Sequence, residues 1–251
     1  MNFLSHIPFM KRLIPSIIKR YAFYFSDYER EITYEGIVFN LDIRHLIDRT
    51  FYINKEYEEE NFQNLVQVIT DESPGYFIDI GACWGIYSLR LAKKFNDLKI
   101  KSVEPIKKNV NRIRDSIHKN SLTNIEVYHT AVGDKNGTIL LGSNNDWSPN
   151  YKINEENIEV TEQSQIQTLD GLFNLADQTI VMKIDVEGFE FEALKGAKKI
   201  LKENKCYLQI EIRYENYDKV EKILNELSYT NESGMRPQLK DHYADCIFKN
   251  Y

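Results

Sequence analysis

From Tyr76 onward, short runs rich in β-branched and aromatic residues take turns with stretches whose apolar residues recur at helical spacing. That alternation constrains the fold more than any other feature of the chain. Strands are expected at 76–80, 99–103, 125–132, 179–185 and 206–212, with helices near 86–95, 106–120, 189–203 and 215–227. Strands joined through a helix run parallel, because the crossover returns the chain to the same end of the sheet. The tail, "SYTNESGMRPQLKDHYADCIFKN", holds two strand-like ends around a polar middle and is expected to close the sheet as a hairpin. The class is therefore α/β, a mostly parallel sheet with helices on both faces, over residues 71–251.

Residues 1–70 form a lead-in to this unit. "EITYEGIVFNLDIRHLIDRTFYI", residues 31–53, suggests two or three short strands around a "YEGI" turn, and 55–70 reads as a helix with Phe62, Leu65, Val66 and Ile69 on one face. The first 25 residues mix apolar side chains with Lys11, Arg12, Lys19 and Arg20. Their apolar core is too short for a signal peptide. Packing of this segment on the body is preferred to peripheral contact with a membrane surface, the rarer use of an amphipathic pattern. Pro8 and Pro15 would each interrupt a single helix.

A length of 251 residues, 42% hydrophobic and 28% charged, suits one domain with a short extension. The net charge of -6 argues against a surface built to neutralise nucleic-acid phosphates. Cys83, Cys206 and Cys246 are odd in number and lack metal-ligand spacing, so a reducing, cytoplasmic setting is expected. No run of the sequence reaches the ~18 apolar residues of a membrane span.

The stretch "YFIDIGACWGIYSL", residues 76–89, is a strand that ends on an acid and turns through glycines into a helix. Glycine allows a ligand close to the backbone. The dinucleotide pattern G-x-G-x-x-G is missing, because Ala82, Cys83 and Trp84 lie between Gly81 and Gly85. A nicotinamide oxidoreductase is accordingly disfavoured. S-adenosylmethionine carries an adenosine without phosphates, an ammonium that suits Asp79, and a ribose diol that suits a carboxylate at the end of the next strand, where Glu104 stands.

A second constellation is "TIVMKIDVEGFEFEALKGAKKIL", residues 179–201. Alternation places Val181, Lys183 and Asp185 on one face of the strand. A lysine inside a parallel strand is unusual, and Glu211 in "YLQIEIR" is the matching oddity on the next strand, so the two are expected to neutralise each other. Asp185 is the first candidate for chemistry. Glu187 is divided between chemistry and, with Glu190, capping of the following helix.

Between Gly133 and Thr168 the regular pattern breaks into a polar, Asn-rich insertion with expected strands at 137–141 and 158–168. Its place at the carboxyl end of a parallel strand makes 133–168 a candidate substrate lid. Trp147 and Tyr151 could stack on a sugar while Asn150 meets its hydroxyls, and His242, before the last strand, is a further substrate-side candidate.

In these motifs the chain resembles the FkbM family of S-adenosylmethionine-dependent methyltransferases. The resemblance runs from about Phe77 to Phe248 and rests on "FIDIGACWGIYSL", "VEPIKKNV", Lys119–Asn120, "AVGD" at 131–134, "QTLD" at 167–170 and "MKIDVEGFEFEALKGA". It implies a class I, Rossmann-like sheet of seven strands with one antiparallel, and O-methylation of a sugar or another small polyhydroxylated acceptor. It also implies that Asp79, Gly81, Cys83 and Gly85 line the cofactor's amino-acid end, Glu104 its ribose, Ala131 and Val132 its adenine, with Asp185 beside the methyl group. Where the family usually has Asn, this chain has Cys83. Asp185, Glu187 or Glu211 would take the acceptor's proton. A divalent metal is compatible with these carboxylates but is not required. The competing reading is a catalytically idle fold that binds a glycan or a partner protein.

Overall fold

The structure, a computed structural model, describes residues 17, 20, 28–142, 152–153, 160–240 and 242–251. Trp147, Asn150 and Tyr151 lie outside the described residues, as does nearly all of the segment 1–25. The lead-in opens with an antiparallel hairpin, β1 (Glu29–Tyr34) and β2 (Ile37–Asp42). Glu35 and Gly36 both take left-handed φ, 50° and 73°, which matches the twist of a two-residue hairpin turn.

No third strand follows. Residues Leu46–Asn54 form helix α1, because Ile47 and Phe51, four residues apart, face the same core while the Asp48 carboxylate accepts the N–H of Asp42 at 2.6 Å. Helix α2 (Glu59–Glu72) buries Phe62, Leu65 and Ile69, the face its periodicity predicts.

The central unit begins with β3 (Tyr76–Ile80), α3 (Ile86–Lys94), β4 (Lys99–Glu104), α4 (Lys107–Lys119) and β5 (Ile125–His129). The strand expected over 125–132 ends early. After Thr130 the chain joins a second, four-stranded sheet built from β6 (Ala131–Val132), β7 (Gly137–Gly142), β8 (Lys152–Ile153) and β9 (Val160–Gln167). There follow α5 (Leu169–Leu172), β10 (Thr179–Ile184), α6 (Glu190–Lys195), α7 (Lys198–Glu203), β11 (Lys205–Arg213), α8 (Tyr217–Glu226), β12 (Thr230–Asn231) and β13 (Tyr243–Lys249). The single helix expected at 189–203 is divided at Gly196. A Cβ there would lie 1.9 Å from the carbonyl oxygen of Gly133, so the close approach of the two chains requires glycine.

The main sheet has the order β12-β13-β11-β10-β3-β4-β5. Strands β11, β10, β3, β4 and β5 are parallel neighbours, and β13 runs antiparallel to β11 and β12 as the closing hairpin. The chain leaves β3 toward β4 on one side and returns as β10 on the other. The crevice at their carboxyl ends is where open α/β sheets bind ligands.

Alternation along the strands separates two cores. One face buries Ile78, Met182, Leu208 and Phe248 with the apolar residues of α6, α7 and α8. The other buries Phe77, Val181 and Tyr207 beneath α2, α3 and the lead-in hairpin. On this second face each strand turns polar toward the carboxyl end of the sheet. Phe77 gives way to Asp79, Val181 to Lys183 and Asp185, Tyr207 to Gln209 and Glu211, and on the antiparallel β13 Ile247 gives way to Asp245.

Candidate active site

The turn after β3 is fixed from within the protein before any ligand arrives. Gly81 has φ 83°, and a Cβ built there would fall 1.8 Å from the carbonyl oxygen of Asp185. The N–H of Asp185 in turn donates to the carbonyl of Ile80 at 3.0 Å. Gly85, also at φ 83°, would press a Cβ to within 3.0 Å of Ile113 on α4. The bare backbone is therefore demanded first by the turn and by its neighbours, and the turn and Asp185 form one interlocked unit.

Glu104, at the end of β4, is 3% exposed. Its Oε2 accepts the Cys83 N–H at 2.9 Å, and its Oε1 accepts the Ile106 N–H at 2.9 Å and the Asn109 amide at 3.2 Å. Burial pushes its carboxyl up to about 7, against the pull of those donors, so the group is short of compensation. Ala131 and Val132 are buried, and β6 packs beside β4, which brings them to the same crevice. Asp79, 2% exposed, accepts the Ser88 hydroxyl at 2.6 Å, and Ser102 donates to Ser88 at 2.6 Å. Its carboxylate is engaged inside the sheet beneath the turn.

Cys83 sits in the left-handed region at φ 52°. Asn is enriched there because its short amide hydrogen-bonds locally, whereas the Cys83 sulfur meets only the Trp84 backbone N–H, as a weaker acceptor. Burial, then the charge of Glu104, pushes its thiol well above the usual range. The thiol is accordingly inert at neutral pH. Cys83→Asn is expected to raise stability by ~0.5–1 kcal/mol, read as a gain of about 1–4 °C in thermal unfolding.

Lys183 is 5% exposed and its Nζ lies 2.7 Å from Oδ2 of Asp185. The expected pair with Glu211 does not form. Register places Lys183 opposite Gln209, and Glu211 opposite Asp245, so two residues of strand separate the lysine from the glutamate. Glu211 still feels that charge. Burial, then the Asp185 charge, pushes the Glu211 carboxyl up to about 9, with Lys183 opposing, so Glu211 holds its proton at neutral pH.

The two helix-capping candidates also divide. Glu190 folds back to accept the Gly188 N–H at 2.6 Å and the Asn216 amide at 3.1 Å, while Glu187 forms an ion pair with Arg213 at 2.6 Å. His242 is exposed, and its carbonyl accepts the Tyr214 N–H just beyond β11. That places it at the rim of the same crevice.

Three contributors escape a reading of the sequence. Asp245, bound by the Asn61 amide at 2.8 Å, carries the same signal as Lys183 and Glu211, a charge inside an apolar strand. Tyr57 and Glu58 carry no signal, since only the docking of the lead-in brings them here. Burial, then Glu58, Asp185 and Cys83 raise the Tyr57 phenol far above its usual range, so it lies near both Asp185 and the turn. Among the described residues no group of three or more His, Cys, Asp or Glu side chains is arranged to hold a metal ion.

A mostly parallel seven-stranded sheet with this strand order and the matching family domain define a class I, S-adenosylmethionine-dependent methyltransferase. The chain belongs to the FkbM methyltransferase family, since the family's methyltransferase FkbM domain matches residues 79–234. Among solved structures, it is similar to the precorrin-6y C5,15-methyltransferase from Geobacter metallireducens GS-15, with 15% identity, 70% of this chain and 78% of that one covered, and a TM-score of 0.41. It is also similar to M. jannaschii TYW2 in complex with AdoMet, with 11% identity, 88% and 86% coverage and a TM-score of 0.47. A SAM-dependent methyltransferase from Aquifex aeolicus shares 14% identity over 77% of this chain and 98% of that one, with a TM-score of 0.42. A search of curated protein sequences gave no significant match. No helix among the described residues is long and apolar enough to cross a membrane.

Proposed function

We propose that the protein is an O-methyltransferase acting on a hydroxyl of a sugar or another small polyhydroxylated acceptor. The observation that carries this reading is Asp185: a carboxylate tied through one oxygen to a buried ammonium, on backbone interlocked with the cofactor turn. The donor set suits S-adenosylmethionine. Glu104 would hold the ribose diol, Gly81, Cys83 and Gly85 with Asp79 behind them the amino-acid end, and Ala131 with Val132 the adenine. When bound, the cofactor supplies an electrophilic methyl group.

The protein's part is to align the acceptor oxygen and to receive its proton. Asp185 accepts that proton, Glu211, already protonated, donates a hydrogen bond, and Glu187 is held to the wall by Arg213. Trp147, Asn150 and Tyr151 of the 133–168 insertion are, by residue type, the candidates to meet the acceptor, and His242 borders the crevice. Residues 28–70 of the lead-in pack on the core and complete the crevice. Three free thiols suit a cytoplasmic setting.

Calorimetric titration with S-adenosylhomocysteine across pH, followed by a screen of hydroxylated acceptors, tests this reading. A proton and the ribose diol compete for the same Glu104 oxygens, so affinity is full above about 7 and weakens as pH falls through that value, approaching ~10-fold per unit below it. Glu104→Gln weakens binding by ~10²-fold through loss of charge-assisted hydrogen bonds. Binding indifferent to both pH and this substitution would remove the cofactor assignment. Binding without turnover of any hydroxylated acceptor would favour the idle fold.

A further inference from the structure

The charged layer on the lead-in face contains a residue whose presence the fold does not explain. Lys183 occupies an interior position of β10, where the preceding residue on the same face is Val181 and the strand behind it packs Tyr207. An apolar side chain would satisfy a parallel strand buried on both faces. An ammonium must instead be desolvated, and breaks even only with precise partners.

Two groups locate it directly, and a third acts through one of them. Nζ lies 2.7 Å from Oδ2 of Asp185 and 4.9 Å from the centre of the Tyr87 ring, on α3. The Tyr87 hydroxyl donates to Oε2 of Glu58 at 2.8 Å. Glu58 is held in the left-handed region, φ 47°, at the start of α2. A chain of contacts thus runs from the lead-in, through an aromatic face, to the carboxylate beside the cofactor turn.

We propose that Lys183 is the positioning residue of the methyl transfer, its ammonium binding Oδ2 of Asp185 and leaving Oδ1 directed at the acceptor hydroxyl, with Tyr87 and Glu58 clamping it from the lead-in. This rests on the reading of Asp185 as the proton acceptor. It extends the working site beyond residues 79–234, since Glu58 precedes the matched domain.

The charges that face Lys183 come from every element around it: Asp79 on β3, Tyr87 on α3, Glu58 at the start of α2, Asp185 after β10, Glu187 in the next turn, Glu211 on β11 and Asp245 on β13. Burial works to remove its proton. Asp185, Glu58, Tyr87 and Asp79 outweigh that effect and hold the ammonium well above its ordinary range.

The test uses the whole chain and the variants Lys183→Met, Lys183→Arg and Glu58→Gln. Nitrogen NMR of the lysine ammonium groups is expected to show one resonance protected from exchange at neutral pH, absent in Lys183→Met and shifted in Asp185→Asn. S-adenosylhomocysteine affinity stays within ~3-fold in Lys183→Met. With a hydroxylated acceptor that turns over, Lys183→Met lowers kcat by ~10–10²-fold with KM little changed, because the Asp185 carboxylate loses the cation that fixes its orientation. Lys183→Arg restores most of the lost kcat, and Glu58→Gln gives a smaller loss. An unprotected ammonium, or an unaltered kcat in Lys183→Met, overturns the proposal. An Asp185→Asn variant with full activity would instead overturn the underlying reading of Asp185, which keeps the two failures apart. If Lys183→Met does not fold, the NMR signal and the kcat of Glu58→Gln still decide.

Discussion

Gly81→Ala is expected to abolish measurable S-adenosylhomocysteine binding and to lower the thermal midpoint by roughly 5–15 °C. Two costs combine. An L-residue at φ 83° is disfavoured by ~1–2 kcal/mol. The new methyl would also lie 1.8 Å from the Asp185 carbonyl oxygen, and since both partners there are backbone, the turn itself must move. Gly36→Ala separates these terms. Gly36 has φ 73°, and a Cβ added there would meet nothing within 4 Å, so it incurs the conformational cost alone. A midpoint for Gly81→Ala no lower than that of Gly36→Ala would show that the close approach contributes nothing. Retained binding would show that the turn tolerates displacement from Asp185.

The same pair of residues shows what sequence can and cannot disclose. Period-two and period-3.6 patterns placed β3, β4, β10 and β11 within a residue of their observed bounds, and so fixed which acids end at the carboxyl edge. The alternation also put Lys183 and Asp185 on one face, where they pair. It could not give Lys183 its partner among strands, because that depends on register, and register placed Gln209 rather than Glu211 opposite. Glycines at 81 and 85 signalled a special turn. That Asp185 and Ile113 fill the vacant Cβ positions is a long-range fact, written in no local spacing.

The lead-in illustrates a second limit. Its hairpin is legible from "YEGI", but for "HLIDRTFYI" the sequence leaves a third strand open, and the segment folds as helix, since Phe51 packs on Phe39 and Trp84 and tertiary contact overrides the preference of β-branched and aromatic residues. Once that helix and α2 dock, Glu58 meets Tyr87, and Asn61 meets Asp245. Residues remote in sequence thereby enter the crevice with no motif to announce them.

Asp185→Asn is expected to reduce kcat by ~10²–10⁴-fold with S-adenosylhomocysteine affinity within ~3-fold of wild type. Asn keeps an oxygen for the Lys183 ammonium but cannot take a proton, so the loss falls on chemistry. Asp185→Ala removes the acceptor altogether and strands a buried cation, which adds ~3–5 kcal/mol of instability. Glu211→Gln provides the contrast. Glu211 is already protonated at neutral pH, with its carboxyl pushed up to about 9, and Gln has the shape and charge of that acid form. Activity near pH 7 should therefore change by less than ~5-fold. The linkage gives a second signature. A carboxyl raised in the folded state from 4.5 to about 9 contributes stability that is complete below pH 4.5 and is lost as pH rises through 9. Gln cannot ionise and loses nothing, so the midpoint of Glu211→Gln should exceed that of wild type increasingly toward alkaline pH. Were Glu211→Gln as inactive as Asp185→Asn, the proton would pass through Glu211, and Asp185 would be reduced to holding it in place.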